Sequence, residues 1–266
     1  MYSLQQLQPI LTALGRTGAI LIGGQAVNLW SERFERQGEV PWKDLRPYTS
    51  VDVDLLGNQA DIKALAQNLA SQVEFPNNPA HTPNIAKLHC SNPEIDIDVL
   101  HSVNGLNSAE ALQTAVQLKF QDISLRVLHP VLCIESKTIN LVTLDQQVAG
   151  RQDEKHLRLS IANCREFLAS LTAGRTPEEL LAWAERMRIH ANTHFGLTIQ
   201  HKFKLRFSDA VPWEKWRGAT AALQGWVEQT APIWQKEIEQ KIQDAIEVEE
   251  WLQSLNRGPR RPDSKP

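Results

Sequence analysis

The sequence predicts an α+β protein with α/β-like alternation: a mixed-sheet domain over residues 1–130, then a helical domain over 131–255. Three observations predict it. Up to Pro130, short apolar or alternating runs bounded by Gly, Pro, Asn and Ser are interleaved with stretches of helical period. Beyond Pro130 the two-residue alternation nearly vanishes, and apolar residues recur every three or four positions. The closing segment 256–266 (NRGPRRPDSKP) is Pro-rich and basic, the composition of a disordered tail.

Taken in order, 19–22 (AILI) reads as a strand ending at Gly23-Gly24, and 25–36 (QAVNLWSERFER) as a helix. Residues 51–56 (VDVDLL) alternate with period two, as a half-buried strand does. Residues 60–72 are helical, with Ile62, Leu65, Leu69 and Val73 on one stripe. Residues 85–90 and 94–100 (EIDIDVL) read as two strands joined by a turn at Ser91-Asn92-Pro93. Residues 108–119 read as a helix and 123–128 (ISLRVL) as the last strand. Helices are then expected over 131–145, 153–172, 176–195, 214–230 and 232–254, with Pro177 and Pro232 near helix starts, where proline is tolerated. Residues 196–213 fit a short strand or a loop.

With 266 residues there is enough chain for a substantial core, and 42% hydrophobic against 22% charged residues argues against disorder. A net charge of −3 and a pI near 6.3 exclude a generally basic, nucleic-acid-coating surface but leave room for a local basic groove. Cys90, Cys133 and Cys164 are far apart and odd in number, which excludes a disulfide scaffold and a CxxC zinc site and fits a reducing compartment. No apolar run approaches the length of a membrane span, and no basic region precedes the first apolar stretch, so a cytoplasmic protein without membrane contact is expected.

The chemistry lies in paired carboxylates. Asp52 and Asp54 stand at i and i+2 on an expected strand, which places both on one face while Val51, Val53 and Leu55 take the other. Like charges that close repel unless water or a cation intervenes, and hard cations such as Mg²⁺ choose carboxylate oxygen and complete their shell with water and phosphate. Asp96 and Asp98 repeat the pattern among Ile95, Ile97 and Val99. If the two strands are neighbours, three or four carboxylates converge as in a metal-assisted phosphoryl-transfer site. The same alternation is also the ordinary signature of a half-exposed antiparallel strand. Gly23-Gly24 closes a strand and opens a helix, where backbone N–H groups favour phosphate; it also serves as a plain tight turn.

The order GG, then DVD, then DID resembles the nucleotidyltransferase superfamily that shares the DNA polymerase β palm, and more closely the bacterial abortive-infection (AbiEii-type) toxin nucleotidyltransferases and their uncharacterised relatives. The resemblance runs through ILIGGQAVNLW, YTSVDVDLLG, EIDIDVLHSVNGL, LHPVLCIESKTINL and GRQDEKHLRLSIANCREFL, over about residues 15–170. It implies a palm-type sheet. It implies that Gly23 and Gly24 hold nucleotide phosphates, that Asp52 and Asp54 bind Mg²⁺ or Mn²⁺, and that Asp98, with Asp96 as the alternative, is the third acid and general base. It also implies attack of an acceptor hydroxyl on the α-phosphorus of an NTP, and a cognate antitoxin or a second copy as protein partner. Two departures stand out. A longer insert, SERFERQGEVPWKDLRP, separates the glycines from Asp52, and the family's later Lys-Asp pair is here Lys155-His156.

A triphosphate needs positive charge beside its metal. Lys137, Arg151 and Lys155 are candidates, the last two four apart and so on one face of an expected helix; a solvated helix face is the plain alternative. Ser50 precedes the DVD strand and either touches phosphate or caps a turn. His190 and His194 have i, i+4 spacing, but Ala191 stands where a metalloprotease helix has glutamate, so zinc is not expected. The late tryptophans read as core or interface filling ahead of base stacking. HKFKLRF (201–207) interleaves basic and apolar residues, as a nucleic-acid strip or a lysine-protected edge strand does.

These readings lead to a Mg²⁺-dependent nucleotidyltransferase with RNA, protein and small-molecule acceptors all open. Against it stand a catalytically degenerate nucleotide-binding or interaction module and a non-enzymatic scaffold with solvated acidic strands.

Overall fold

The computed structural model describes residues 1–36, 43–78 and 82–256. The expected tail falls almost wholly outside them, as does the middle of the insert before Asp52. The sheet half contains α1 (Gln8–Leu14), β1 (Ile20–Ile22), α2 (Gly23–Arg36), β2 (Val53–Leu56), α3 (Gln59–Leu69), β3 (Gln72–Glu74), β4 (Asn84–Ser91), β5 (Glu94–Leu100), α4 (Ser108–Thr114), β6 (Val116–Phe120) and β7 (Ile123–Val127). The helical half contains α5 (Pro130–Thr143), α6 (Asp153–Leu171), α7 (Pro177–Ala191), α8 (His194–Lys202), α9 (Trp213–Arg217) and α10 (Ala221–Asn256).

One seven-stranded mixed sheet runs in the order β3-β4-β5-β2-β1-β7-β6. The central strands β1, β2 and β5 are the apolar ones; β1 is buried along its length, and Val53, Leu55, Ile97 and Val99 are fully enclosed. β2 and β5 are parallel, which requires a crossover between them, and α3 with the β3–β4 hairpin supplies it. α3 begins in a capping box: the Asn58 side chain accepts from the backbone of Ala60 and Asp61, and Asp61 answers the Asn58 N–H at 3.0 Å.

The two halves share one hydrophobic core that runs unbroken from Leu4 to Ile238 across the expected boundary at residue 130. α2 and α6 are zipped by Asn163, whose Nδ2 donates to the Val27 carbonyl and to Ser31 Oγ, both at 3.1 Å. Trp30 of α2 is enclosed, donating Nε1–H to the Leu128 carbonyl at 2.9 Å and meeting Phe167 of α6 edge-on. Arg186 of α7 grips Glu135 of α5, with Nη2 2.7 Å from Oε2, also pairs with Glu110 of α4, and lies over the Trp183 ring.

Several expectations are corrected. The stretch 108–119 is not one helix: α4 ends at Thr114, and the alternation of Val116–Phe120 makes a strand hairpinned to β7. The stretch 176–195 is two helices, because α7 stops at Ala191 and Thr193 caps α8, its Oγ1 accepting from Gly196 N. His190 and His194 therefore do not share a helix. Residues 196–213 hold α8 and a 3₁₀ turn at Phe207–Ala210, with no strand. Pro232 lies inside the continuous α10 instead of opening a new helix. There it forgoes one backbone hydrogen bond while the flanking turns persist. α1 and β3 are additional elements. Among the described residues no helix is long and apolar enough to cross a membrane.

Arg186 is the residue on which the junction of α4, α5 and α7 turns. Arg186→Ala leaves Glu135 buried without its partner and is expected to lower the unfolding free energy by about 3 kcal/mol, measured by urea denaturation; a loss within about 0.5 kcal/mol, the size of an ordinary surface substitution, would show the pairing to be incidental.

Candidate active site

Register is what gathers the acids. Asp54 on β2 is paired with Ile22 at the end of β1 and with Asp98 on β5. Laterally paired residues project to the same side of a sheet, so Asp54 and Asp98 stand side by side. Asp52 lies immediately before β2, on the same side by the two-residue period. Ser50 Oγ donates to Asp52 Oδ1 at 3.1 Å, and the Ser50 backbone is fixed by a two-way bridge to Tyr2. Asp98 accepts from Asn84 Nδ2 at 2.9 Å and lies 3.6 Å from Lys87 Nζ. Asp96 is two residues further out, exposed, with Lys87 Nζ 3.4 Å and His89 Nδ1 2.8 Å away. Of the two alternatives for the third acid, Asp98 is the one beside Asp54.

The glycines sit on top of these acids. β1 passes directly into α2 at Gly23, whose φ of +64° is a left-handed conformation that favours glycine. A Cβ at Gly23 would come within 2.1 Å of Asp54 Oδ2, and one at Gly24 within 2.6 Å of Ser50 Oγ. The backbone at the start of α2 thus lies against the Asp54 carboxylate and the Ser50 hydroxyl.

The cationic side comes from α5 and the start of α6. Lys137 is buried and donates to Asp153 Oδ1 at 3.1 Å; Arg151 Nη1 meets Asp153 Oδ2 at 3.0 Å. Burial alone would raise the Asp153 carboxyl, but Lys137 and Arg151 hold it below the ordinary carboxylate range. Arg151 precedes α6, so it shares no helix face with Lys155. Lys155 turns away from the acids, donating to the Pro47 carbonyl at 2.5 Å and to Gln152 at 3.2 Å. The position expected of Lys155 is corrected accordingly: one residue on, His156 lines the cavity in its place. Burial pushes His156 down to about 3, so the ring is neutral, and its Nε2 has no hydrogen-bond partner among the described residues.

Two cavities open here. One, of 310 Å³, is bounded by Gly24, Asp52, Asp54, Lys137, Asp153 and His156; Ser50 and Arg151 also line it. The other, of 860 Å³, reaches over β4 and β5 past Lys87, His89, Asp96 and Asp98. Val51 and Asp52 belong to both walls. Asp153 and His156 are the site residues that sequence reasoning missed. Asp153 looked like an ordinary acid at a helix start; its spacing of three from His156, which sets both on one helix face, was the available signal.

Desolvation and then the charges of Asp52 and Asp98 push the Asp54 carboxyl up to about 7, with Lys137 acting in the opposite direction. Among the described residues no group of three or more His, Cys, Asp and Glu side chains is gathered into a ready-formed metal site. Asp52 and Asp54 nevertheless fit a Mg²⁺ ion that draws its remaining ligands from water and substrate phosphates, and a cation would relieve the crowding that lifts Asp54. No protein-family model matches the chain, and no curated protein matches it.

Because Asp54 is raised in the fold, the fold favours its protonated form, and metal-free stability is lost as pH rises from the unfolded carboxylate range through about 7. Asp54→Asn removes that penalty. In chelator, the variant is expected to exceed the parent by on the order of 2 kcal/mol at pH 8 and to match it below pH 4. Equal denaturation midpoints at pH 8 would contradict the crowding.

Proposed function

We propose that the protein is a Mg²⁺- or Mn²⁺-dependent nucleotidyltransferase that moves a nucleoside monophosphate from an NTP to a hydroxyl acceptor. The observation that supports this reading is the lateral pairing of Asp54 with Asp98, with Asp52 alongside, under a strand-to-helix glycine turn and beside the buried Lys137. In this reading Asp52 and Asp54 hold the ion, which when bound neutralises phosphate charge and polarises the phosphorus. Gly24, which lines the smaller cavity, lets the triphosphate approach the start of α2, with Gly23 holding the turn against Asp54, and Lys137 and Arg151 balance its charge. Asp98 faces the larger cavity and takes the acceptor's proton. The acceptor oxygen forms a new bond to the α-phosphorus, the α–β phosphoanhydride bond breaks, and pyrophosphate leaves.

The three cysteines are buried and unpaired, which suits the reducing cytoplasm. A cognate antitoxin or a second copy as protein partner belongs to the same proposal. A second reading, a nucleotide-binding module without turnover, is favoured by Lys155 facing away and by the ion pairs that already engage Lys137 and Arg151.

Incubation with each α-labelled NTP, Mg²⁺ and a total cell extract tests both readings. The enzyme labels an acceptor, and Asp52→Ala or Asp98→Ala lowers labelling by at least about 10³-fold with the fold retained. Nucleotide binding without labelling selects the binding module, and neither binding nor labelling refutes both. Lys137→Ala is expected to weaken NTP binding by about tenfold or more, whereas Lys155→Ala changes it less than about twofold; equal losses would overturn the placement of charge around the triphosphate.

A further inference from the structure

A third cavity, of 220 Å³, lies in the helical half between the chain following α8 and the side of α10, and it belongs to neither chamber of the candidate active site. Its wall is built by the interleaved segment HKFKLRF. From Lys204 the chain alternates: Leu205 and Phe207 are buried in the core, while Lys204, Arg206 and Ser208 line the cavity. Neither Lys204 nor Arg206 makes a side-chain hydrogen bond or an ion pair among the described residues, although Asp209 feels the Arg206 charge. The opposite wall is Trp234, Ile238 and Ile242 of α10.

Trp234 closes one side of the wall: it is 1% exposed, its indole nitrogen is shut off even from water, and its ring meets Trp213 edge-on. The charged and hydroxyl donors of the wall are Lys204, Arg206 and Ser208. Its one carboxylate, Glu239, is already engaged by Gln235 Nε2 at 2.9 Å.

We infer that this cavity binds a small carboxylate with an apolar body, its carboxylate set against Arg206, Lys204 and the Ser208 hydroxyl and its body against Ile238 and Ile242. A planar carboxylate suits the guanidinium fork. Inorganic phosphate would leave the aliphatic wall uncovered. A single-stranded RNA needs a longer row of cations and stacking faces than two cations and one enclosed ring provide. A cavity of about 150 Å³ is enough to hold benzene, so 220 Å³ accommodates a benzoate-sized acid. The inference is independent of the nucleotidyltransferase reading, since none of its residues lines the other two cavities.

Titration of the full chain by calorimetry, with tryptophan fluorescence in parallel, tests it with benzoate, its uncharged isostere benzamide, inorganic phosphate and a short single-stranded RNA as probes. The expected result is saturable benzoate binding, at least about tenfold weaker for benzamide and for the Arg206→Ala and Lys204→Ala proteins. Both cations are exposed, so these variants keep the fold. Benzoate binding that benzamide equals, binding that survives both cation variants, no saturable benzoate binding, or binding of phosphate or RNA in its stead would each overturn the assignment.

Discussion

The constraint on which the candidate site depends is the crowding of like charge around Asp54. A mixed sheet whose two central parallel strands carry aspartate at the same register position sets two carboxyls side by side, and the residue before β2 adds a third. Such an arrangement is unfavourable in isolation. Here it is tolerated because Lys137 lies close enough to lower the Asp54 carboxyl in part, and because protonation of Asp54 near neutral pH removes the rest. The glycine turn follows from the same crowding. With Asp54 pressed against the junction of β1 and α2, no side chain fits at Gly23.

The helical half completes the site; it is not a separate appendage. Lys137, Arg151, Asp153 and His156 all come from beyond residue 130, and they are held against the sheet by the interlock of α2 with α5 and α6. The one continuous core explains how a buried lysine is kept at a defined place: α5 is buried along most of its length, so Lys137 has few other directions in which to extend its stem.

Much of this was legible in the sequence, and the failures have physical reasons. Strands with clean alternation, 94–100 and, apart from its first two residues, 51–56, and helices with a clear apolar stripe read true, because burial on one face dictates the pattern. The helix expected over 108–119 failed because a hairpin partner, β7, overrode local helical propensity after Thr114. The break at Asn192 escaped notice because Thr193 is a cap with no apolar signal of its own. The resemblance already set Asp98 ahead of Asp96, and the register between β2 and β5 adds a physical reason by pairing Asp98 with Asp54. Lys155 misled because its helix begins two residues later than its pairing with Arg151 requires. Which of Lys155 and His156 faces inward is decided by that phase of about 100° per residue.

The shared wall at Val51 and Asp52 has a thermodynamic corollary. If the proposed ion and nucleotide bind here, a ligand that neutralises Asp52 from one chamber would alter the free energy of filling the other, and by linkage the effect would be equal in both directions. Under that proposal the partition at Asp52 would be the coupling element between the two chambers.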